Sequence, residues 1–205
     1  MKIGPKYKIA KRLGAPIFEK TQTQKFALSQ SKKSARRSER KHHSQATSYG
    51  LQMKEKQKAR YTYLLTEKQF SKYARQTLEK KASNKPGLLF ELLESRLDSV
   101  VFKSAFAPTR SAAKQIVSHG HMLVNKRRVT IPSYNLRKGD KISLRPQSQG
   151  KGIFAKLDER LKDHNTPNWI KCDKEKKEIE LVGKPDLSKE ENLFDLNTVL
   201  EFYNR

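Results

Sequence analysis

Residues Leu88–Pro146, LLFELLESRLDSVVFKSAFAPTRSAAKQIVSHGHMLVNKRRVTIPSYNLRKGDKISLRP, are the stretch around which the rest of the chain is organised. They read as two short amphipathic helices, a hairpin and one further strand. Leu89, Leu93, Leu97, Val100 and Val101 recur at three- and four-residue steps and so share the face of one helix. A second helix is expected from Thr109, whose hydroxyl can cap free amides, to Gly120, which suits a left-handed end. Its apolar face is Ala112, Ala113, Ile116 and Val117, which leaves Arg110, Lys114 and His119 elsewhere on its surface. Leu123-Val124 and Val129-Thr130-Ile131 flank a tight Asn125-Lys126 turn, and Lys141–Arg145 alternates as a half-buried strand. One side of this unit is apolar. The other carries Arg96, Lys103, Arg110, Lys114, Lys126, Arg127 and Arg128.

The whole chain has 205 residues, enough for one or two domains with a modest core. It holds 45 Lys and Arg against 21 Asp and Glu, a formal net charge of +24. Self-repulsion makes such an excess costly without a polyanionic partner. Residues 1–60 hold 17 basic and 3 acidic side chains, and residues 61–150 hold 17 and 6. Residues 151–205, with 11 and 12, form ordinary soluble surface. The basic residues are not paired with a long apolar helix face, so nucleic acid fits better than an anionic membrane. A lone cysteine, Cys172, permits no intrachain disulfide. No apolar run approaches the ~20 residues of a membrane span, and the N-terminus lacks a secretory run, so a cytoplasm-like compartment is expected.

Several stretches are recognisable. SRLDSVVF, TRSAAKQIVSHGHMLVNKRRVTIPSY and KGDKISL resemble the small RNA-binding module named after the fourth protein of the small ribosomal subunit. YGLQMKEKQKARYTYLLTEKQFSKY, from Tyr49 to Tyr73, resembles the bacterial-type ribosomal protein family itself, as does the ending VLEFYNR. The likeness runs from about Tyr49 to Arg205 and is gappier before that. That family often opens with metal-binding cysteines. Here the matching positions are Tyr7, Ala10 and Phe26, and His42 and His43 lack further ligands, so no zinc and no other cofactor is expected. Hydrophobic or stacking contacts from Tyr7 and Phe26 are expected instead. The family's Pro-Pro-Gly-Gln-His-Gly segment is missing before Tyr49, so no contacts carry over to residues 31–48.

Residues 1–48 show little periodicity and include the charge run SQSKKSARRSERKHH. They read as a basic extended arm, solvated or ordered against phosphates. Ser48 is a plausible cap for a helix over Leu51–Tyr61, and Thr66 with Gln69 forms a capping-box pattern for the next. Lys54, Lys56, Lys58, Arg60, Lys68, Lys72 and Arg75 make these helices basic. Tyr61, Tyr63 and Tyr73 interleave with them, more as core than as stacking platforms. Gln147–Gly152 reads as a linker. Ile153, Phe154, Leu157 and Leu161 give a helical face, Trp169–Cys172 faces Ile179–Val182 as a hairpin, and Asn197–Tyr203 closes against the earlier helices.

The expected class is α+β, in a discontinuous plan. Residues 49–87 with 153–205 form a helix-rich body, residues 1–48 the basic arm. Residues 88–152 are an inserted RNA-binding domain of two helices on a small, mostly antiparallel sheet.

No catalytic constellation is present: no phosphate-cradling glycine loop, no HExxH, no nucleophile elbow and no paired-cysteine site. Glu91, Glu94 and Asp98 beside Arg96 suit salt bridging, and Asp140 after Gly139 suits a turn. The module also occurs fused to pseudouridine synthases and tyrosyl-tRNA synthetases, but the remaining residues here are split, basic and mostly helical. A free ribosome-rescue protein would not need the Tyr49–Tyr73 likeness. The resemblance implies a primary binder of 16S ribosomal RNA at a helix junction of its 5′ domain. It also implies an early role in assembly, an influence on decoding accuracy, and a place in the ribosome of the cytoplasm or an organelle. Its implied neighbours are the fifth and third small-subunit proteins, with messenger RNA near its entry path. No small-molecule substrate is implied. The residues expected at RNA are Lys54, Lys58, Arg60, Lys72, Arg96, Arg110, Lys114, His119, Asn125, Lys126 and Arg127.

Overall fold

The computed structural model describes residues 3–38, 47–150, 152–187 and 192–205, without the side chains of 33–38 and 163. The chain divides into two compact units, residues 87–189 and residues 1–86 with 190–205.

In the first of these, short-range signals set the turns. Thr109 accepts a hydrogen bond from the Ala112 amide at 3.0 Å and opens a helix over Arg110–Ser118, and Gly120 leaves it in the left-handed region at φ 70°. Asn125 and Lys126 both have positive φ, 49° and 67°, the geometry a two-residue turn needs between twisted strands. The turn joins β1 (Met122–Val124) to β2 (Arg127–Arg128), with Val124 opposite Arg127. The expected second strand, Val129–Ile131, is therefore displaced. A two-residue turn makes pairing start at residue 127, and Pro132 has no amide with which to prolong it.

β3 (Lys141–Leu144) pairs antiparallel with β1, as alternation predicts. Its other edge takes β5 (Glu178–Leu181), which pairs in turn with β4 (Ile170–Asp173), giving the order β2-β1-β3-β5-β4. This corrects the expected boundary at residue 152. The β4–β5 hairpin forms as anticipated, but Ile142 lies opposite Ile179 and places the hairpin in this unit's sheet. Gln147–Gly152 is no interdomain linker either: Ser148 is buried and meets His121 Nδ1 at 2.9 Å. One apolar core joins Val101, Phe106, Ile116, Met122, Ile142 and Leu181 to Phe154, Leu157, Leu161 and Trp169. Truncating Ile142, fully buried at its centre, would cost roughly 2–5 kcal/mol.

The helix expected to run through Leu89 and Val101 is two helices, α5 (Lys85–Glu94) and α6 (Leu97–Lys103). The chain turns extended at Arg96, and carbonyls of a distant loop take over the amides that a continuous helix would satisfy internally. Leu97 donates to the Tyr134 carbonyl at 2.9 Å and Asp98 to that of Pro132 at 3.1 Å. The helix after it, Arg110–Ser118, is α7.

The other unit holds α1 (Lys6–Leu13), α2 (Gln24–Ser38), α3 (Ser48–Thr62), α4 (Glu67–Glu79) and α9 (Leu196–Tyr203); α8 (Leu157–Asp163) belongs to the unit already described. Its N-terminal part is not an extended arm over residues 3–38. Ile9, Ala10, Leu13, Phe18 and Phe26 form a small core against Tyr61 and Leu64, and Tyr7 meets the Phe26 ring edge-on at 5.3 Å. Ile9, Ala10 and Leu13 do share one face of the short α1, but the face is only eight residues long and it packs with Phe18 and Phe26 against Tyr61 and Leu64 from distant sequence. His42 and His43 lie outside the described residues.

α3 is capped by Thr47 rather than Ser48, through the Gly50 amide at 3.1 Å. The Thr66/Gln69 capping box of α4 forms in both directions. α9 begins at Asp195, which accepts from the amides of Asn197 and Thr198, and closes on α3 and α4 as expected. There the Tyr203 hydroxyl donates to Glu67 at 2.7 Å, beside the buried Lys56 ammonium 2.9 Å from the same oxygen. Lys56 also sits 4.3 Å from the Phe202 ring centroid. Burial alone would raise the Glu67 pKa, yet hydrogen bonds from Tyr203 and Lys56 hold it below the usual carboxylate range. Burial and the same carboxylate push the Tyr203 hydroxyl upward.

Candidate nucleic-acid interface

The tip of the β1–β2 hairpin exposes Lys126, Arg127 and Arg128 in sequence. Asn125 fixes its base with both ends of its amide: Nδ2 donates to Asp140 Oδ1 at 2.8 Å, and Oδ1 accepts from the Lys141 amide at 3.0 Å. Asn125 is thus a clamp within the protein, and its adjacent cations are the groups offered to solvent. The Arg128 guanidinium lies over Gly120, where an added Cβ would overlap it, and reaches the His119 carbonyl at 3.4 Å. The His119 ring stays exposed beside it. Asp140 also accepts from the Arg137 amide at 2.7 Å, so one carboxylate ties the tip to a second basic loop, Arg137-Lys138. Both of those cations are exposed. Neither was anticipated as an RNA residue, although RKGD carried the signal: a short turn with two cations ahead of a strand.

The junction of α6 and α7 behaves differently. Arg96 and Arg110 were expected at RNA, but the structure buries both side chains in ion pairs. Arg96 is 4% exposed and grips Asp98 with two hydrogen bonds of 3.0 and 2.8 Å. Arg110 is 9% exposed; it donates to Glu94 at 3.1 Å and to the Ser99 hydroxyl at 3.0 Å, with its guanidinium 4.9 Å from the Phe102 ring centroid. Buried guanidiniums with carboxylate partners hold the helices together and are not presented to a ligand. Lys114 stands at the edge of this cluster, 3.7 Å from Asp98 and part-exposed. Burial lowers its pKa to about 8; Asp98 opposes that shift while Arg96 and Arg110 add to it.

In the other unit Lys72 is exposed on α4. Lys58 pairs with Glu55 at 2.6 Å, one turn back on α3. Arg60 bonds Gln57 at 2.8 Å, stacks 4.4 Å from the Tyr61 ring and lies 3.7 Å from Glu67. The Lys54 ammonium rests against Gly14 at the C-terminal end of α1, where a cation is favoured by the helix dipole. Lys54, Lys58 and Arg60 are each half-buried, so Lys72 is the most open of the four. Tyr63 is buried, in keeping with a core role.

Among the described residues no three His, Cys, Asp or Glu side chains converge as a metal site, and no helix is long and apolar enough to cross a membrane. The arrangement offers exposed cations on two loops tied together through Asp140.

Two family models match adjacent stretches of the chain. The family model described as "S4 domain" matches residues 95–142, and that described as "Ribosomal protein S4/S9 N-terminal domain" matches residues 1–94. A "Small ribosomal subunit protein uS4" from Roseiflexus sp. (strain RS-1) is 40% identical over 212 residues, covering 98% of this chain and 98% of that protein. Its counterpart from Sulfurihydrogenibium sp. (strain YO3AOP1) is 35% identical over 205 residues, covering 98% of each. That from Chlorobium phaeovibrioides (strain DSM 265 / 1930) is 33% identical over 202 residues, covering 97% and 96%. The similarity thus reaches back across residues 1–48, where residue-by-residue reading found a gappier match.

Proposed function

This chain belongs to the uS4 family of small ribosomal subunit proteins, and from that premise we propose that it is a structural, non-catalytic constituent of the small subunit that docks on 16S ribosomal RNA. The proposed site is a helix junction of the 5′ domain. Binding there early in assembly holds several phosphate strands together and stabilises the folded junction, and it places the protein near the fifth and third small-subunit proteins and the messenger entry path. An influence on decoding accuracy follows from that position.

The observation that carries this reading is the hairpin tip. Lys126 stands at φ 67°, a conformation that costs a residue with a Cβ roughly 1 kcal/mol or more. It is nevertheless exposed, with Arg127 and Arg128 beside it. A strained, solvent-facing lysine brings nothing to the core; next to phosphate it supplies charge that glycine cannot. Every cation that neutralises a phosphate releases counterions, so affinity should fall steeply with salt. Lys72, Lys114, His119 and Arg127 are the other contacts proposed.

Co-sedimentation of the tagged protein with small subunits tests the reading, together with binding to a 5′-domain junction fragment against plain duplex of equal length. Preference for the junction is expected. Recovery mainly as free protein, or equal affinity for both RNAs, would overturn it.

A further inference from the structure

Glu91 of α5 and Ser95 just after it, the loop Asn135–Lys138 and the segment Gly183–Pro185 after β5 line a cleft of about 190 Å³. Its rim is cationic: Arg137 and Lys138 are exposed on one side and Lys184 on the other. The carboxylate in the lining, Glu91, is engaged by Lys184 at 2.9 Å. The cleft floor is held by main-chain bonds. Leu136 donates to the Ser95 carbonyl at 2.9 Å, Gly139 to that of Leu181 at 2.8 Å, and Leu181 to that of Asp140 at 3.2 Å. These bonds tie the backbone of the loop to the residue that follows α5 and to β5, so the stretch that carries the cations is held before any ligand arrives. Through Asp140 the loop is also bolted to Asn125 at the hairpin tip. The tip and the cleft rim are therefore joined through one carboxylate, and both carry exposed cations.

The geometry points to this cleft as a second anion subsite, which takes a backbone phosphate of the same RNA that meets the hairpin tip. The inference rests on the proposed RNA-binding role and adds a site to it. Phosphate chemistry fits because the rim supplies a guanidinium and an ammonium from adjacent residues, both exposed. Arg137 can hold two oxygens with its planar fork while Lys138 supplies a point charge. Ordinary surface pairing does not consume these groups, since the nearby carboxylate Asp140 turns its oxygens to the Asn125 amide and to the Arg137 backbone instead.

The test uses the full chain with two variants, Arg137→Ala/Lys138→Ala and Glu91→Gln, titrated with the junction RNA over a range of salt. Both altered cations are exposed, so the emission of Trp169 and the melting temperature should match the parent protein. The double variant should flatten the log–log salt slope by about 0.8, the loss of one neutralised phosphate at roughly 0.7–0.9. It should also remove protection of one backbone strand in hydroxyl-radical footprinting. Glu91→Gln releases Lys184 and should tighten binding severalfold. An unchanged slope and footprint in the double variant, with the parent binding normally, would overturn the subsite. So would normal RNA binding with failed incorporation into subunits, since the occupant would then be a protein. If the parent protein itself shows no junction preference, the underlying reading fails, and that result is distinguishable from failure of the cleft alone.

Discussion

The junction of α6 and α7 and the tip of the β1–β2 hairpin are equally basic in sequence and opposite in use. At the junction, Arg96 meets Asp98 and Arg110 meets Glu94, each pair buried and hydrogen-bonded. At the tip, Lys126, Arg127 and Arg128 face solvent, and the nearby carboxylate of Asp140 is occupied by an amide side chain and a backbone N–H. The difference teaches that a cation's availability is set by which carboxylates reach it. Glu94 lies sixteen residues before Arg110, and only the packing of the helices joins them. Lys114 falls between the two cases, part-exposed and loosely paired.

The comparison breaks first at Arg110. Arg110→Ala strands Glu94 in the interior without its partner, and should destabilise this unit by about 3 kcal/mol. Urea unfolding followed by Trp169, which lies in the same unit, reads the loss. RNA affinity per folded molecule should hold. Lower affinity at parental stability would show that the buried arginine reaches RNA after all.

Removing charge at the tip should do the reverse. Lys126→Ala/Arg127→Ala is expected to weaken junction binding about tenfold, roughly 1.4 kcal/mol. The salt slope should flatten by about 1.5, with the urea midpoint unmoved. A shifted midpoint at constant affinity would assign the tip to the fold.

Lys126→Gly sharpens the same point on a single residue. Relief of the positive φ should raise stability by about 1 kcal/mol, while affinity drops severalfold. A stability gain without loss of affinity would mean that the lysine serves neither end.

The smallest effect concerns Lys114 and pH. Its folded pKa, about 8, lies below the ordinary lysine value, so the native state releases this proton while the unfolded state still holds it. Its contribution to stability should therefore rise as pH climbs from about 8 toward the ordinary lysine range. RNA binding has the opposite sign, since the discharged amine no longer attracts phosphate. Affinity should fall modestly above pH 8 in the parent and less in Lys114→Gln. Identical profiles would remove Lys114 from the interface.

Much of this architecture is written locally. The Thr66/Gln69 box, the Thr109 cap, the left-handed Gly120 and the Asn125-Lys126 turn each depend on a few adjacent residues, so sequence reading finds them. The same holds for β3, the β4–β5 hairpin and the apolar face of α7, which repeat with the period of their own element. The missed cations, Arg137 and Lys138, sat in a turn whose Asp140 drew attention as a turn former, when its oxygens also bind the loop to the tip.

By itself, then, the sequence determined the basic character, the module and its family, and the places where helices and strands turn. Tertiary structure alone decided that α5 and α6 part at Arg96, that β5 adds to β3, and that Ile9, Leu13, Phe18 and Phe26 pack against Tyr61 and Leu64. It also decided that Arg96 and Arg110 face inward. The physical reason is common to all four. A cap or a turn is satisfied by neighbours along the chain, whereas these outcomes need a carbonyl, a strand edge, an apolar side chain or a carboxylate that folding brings from elsewhere.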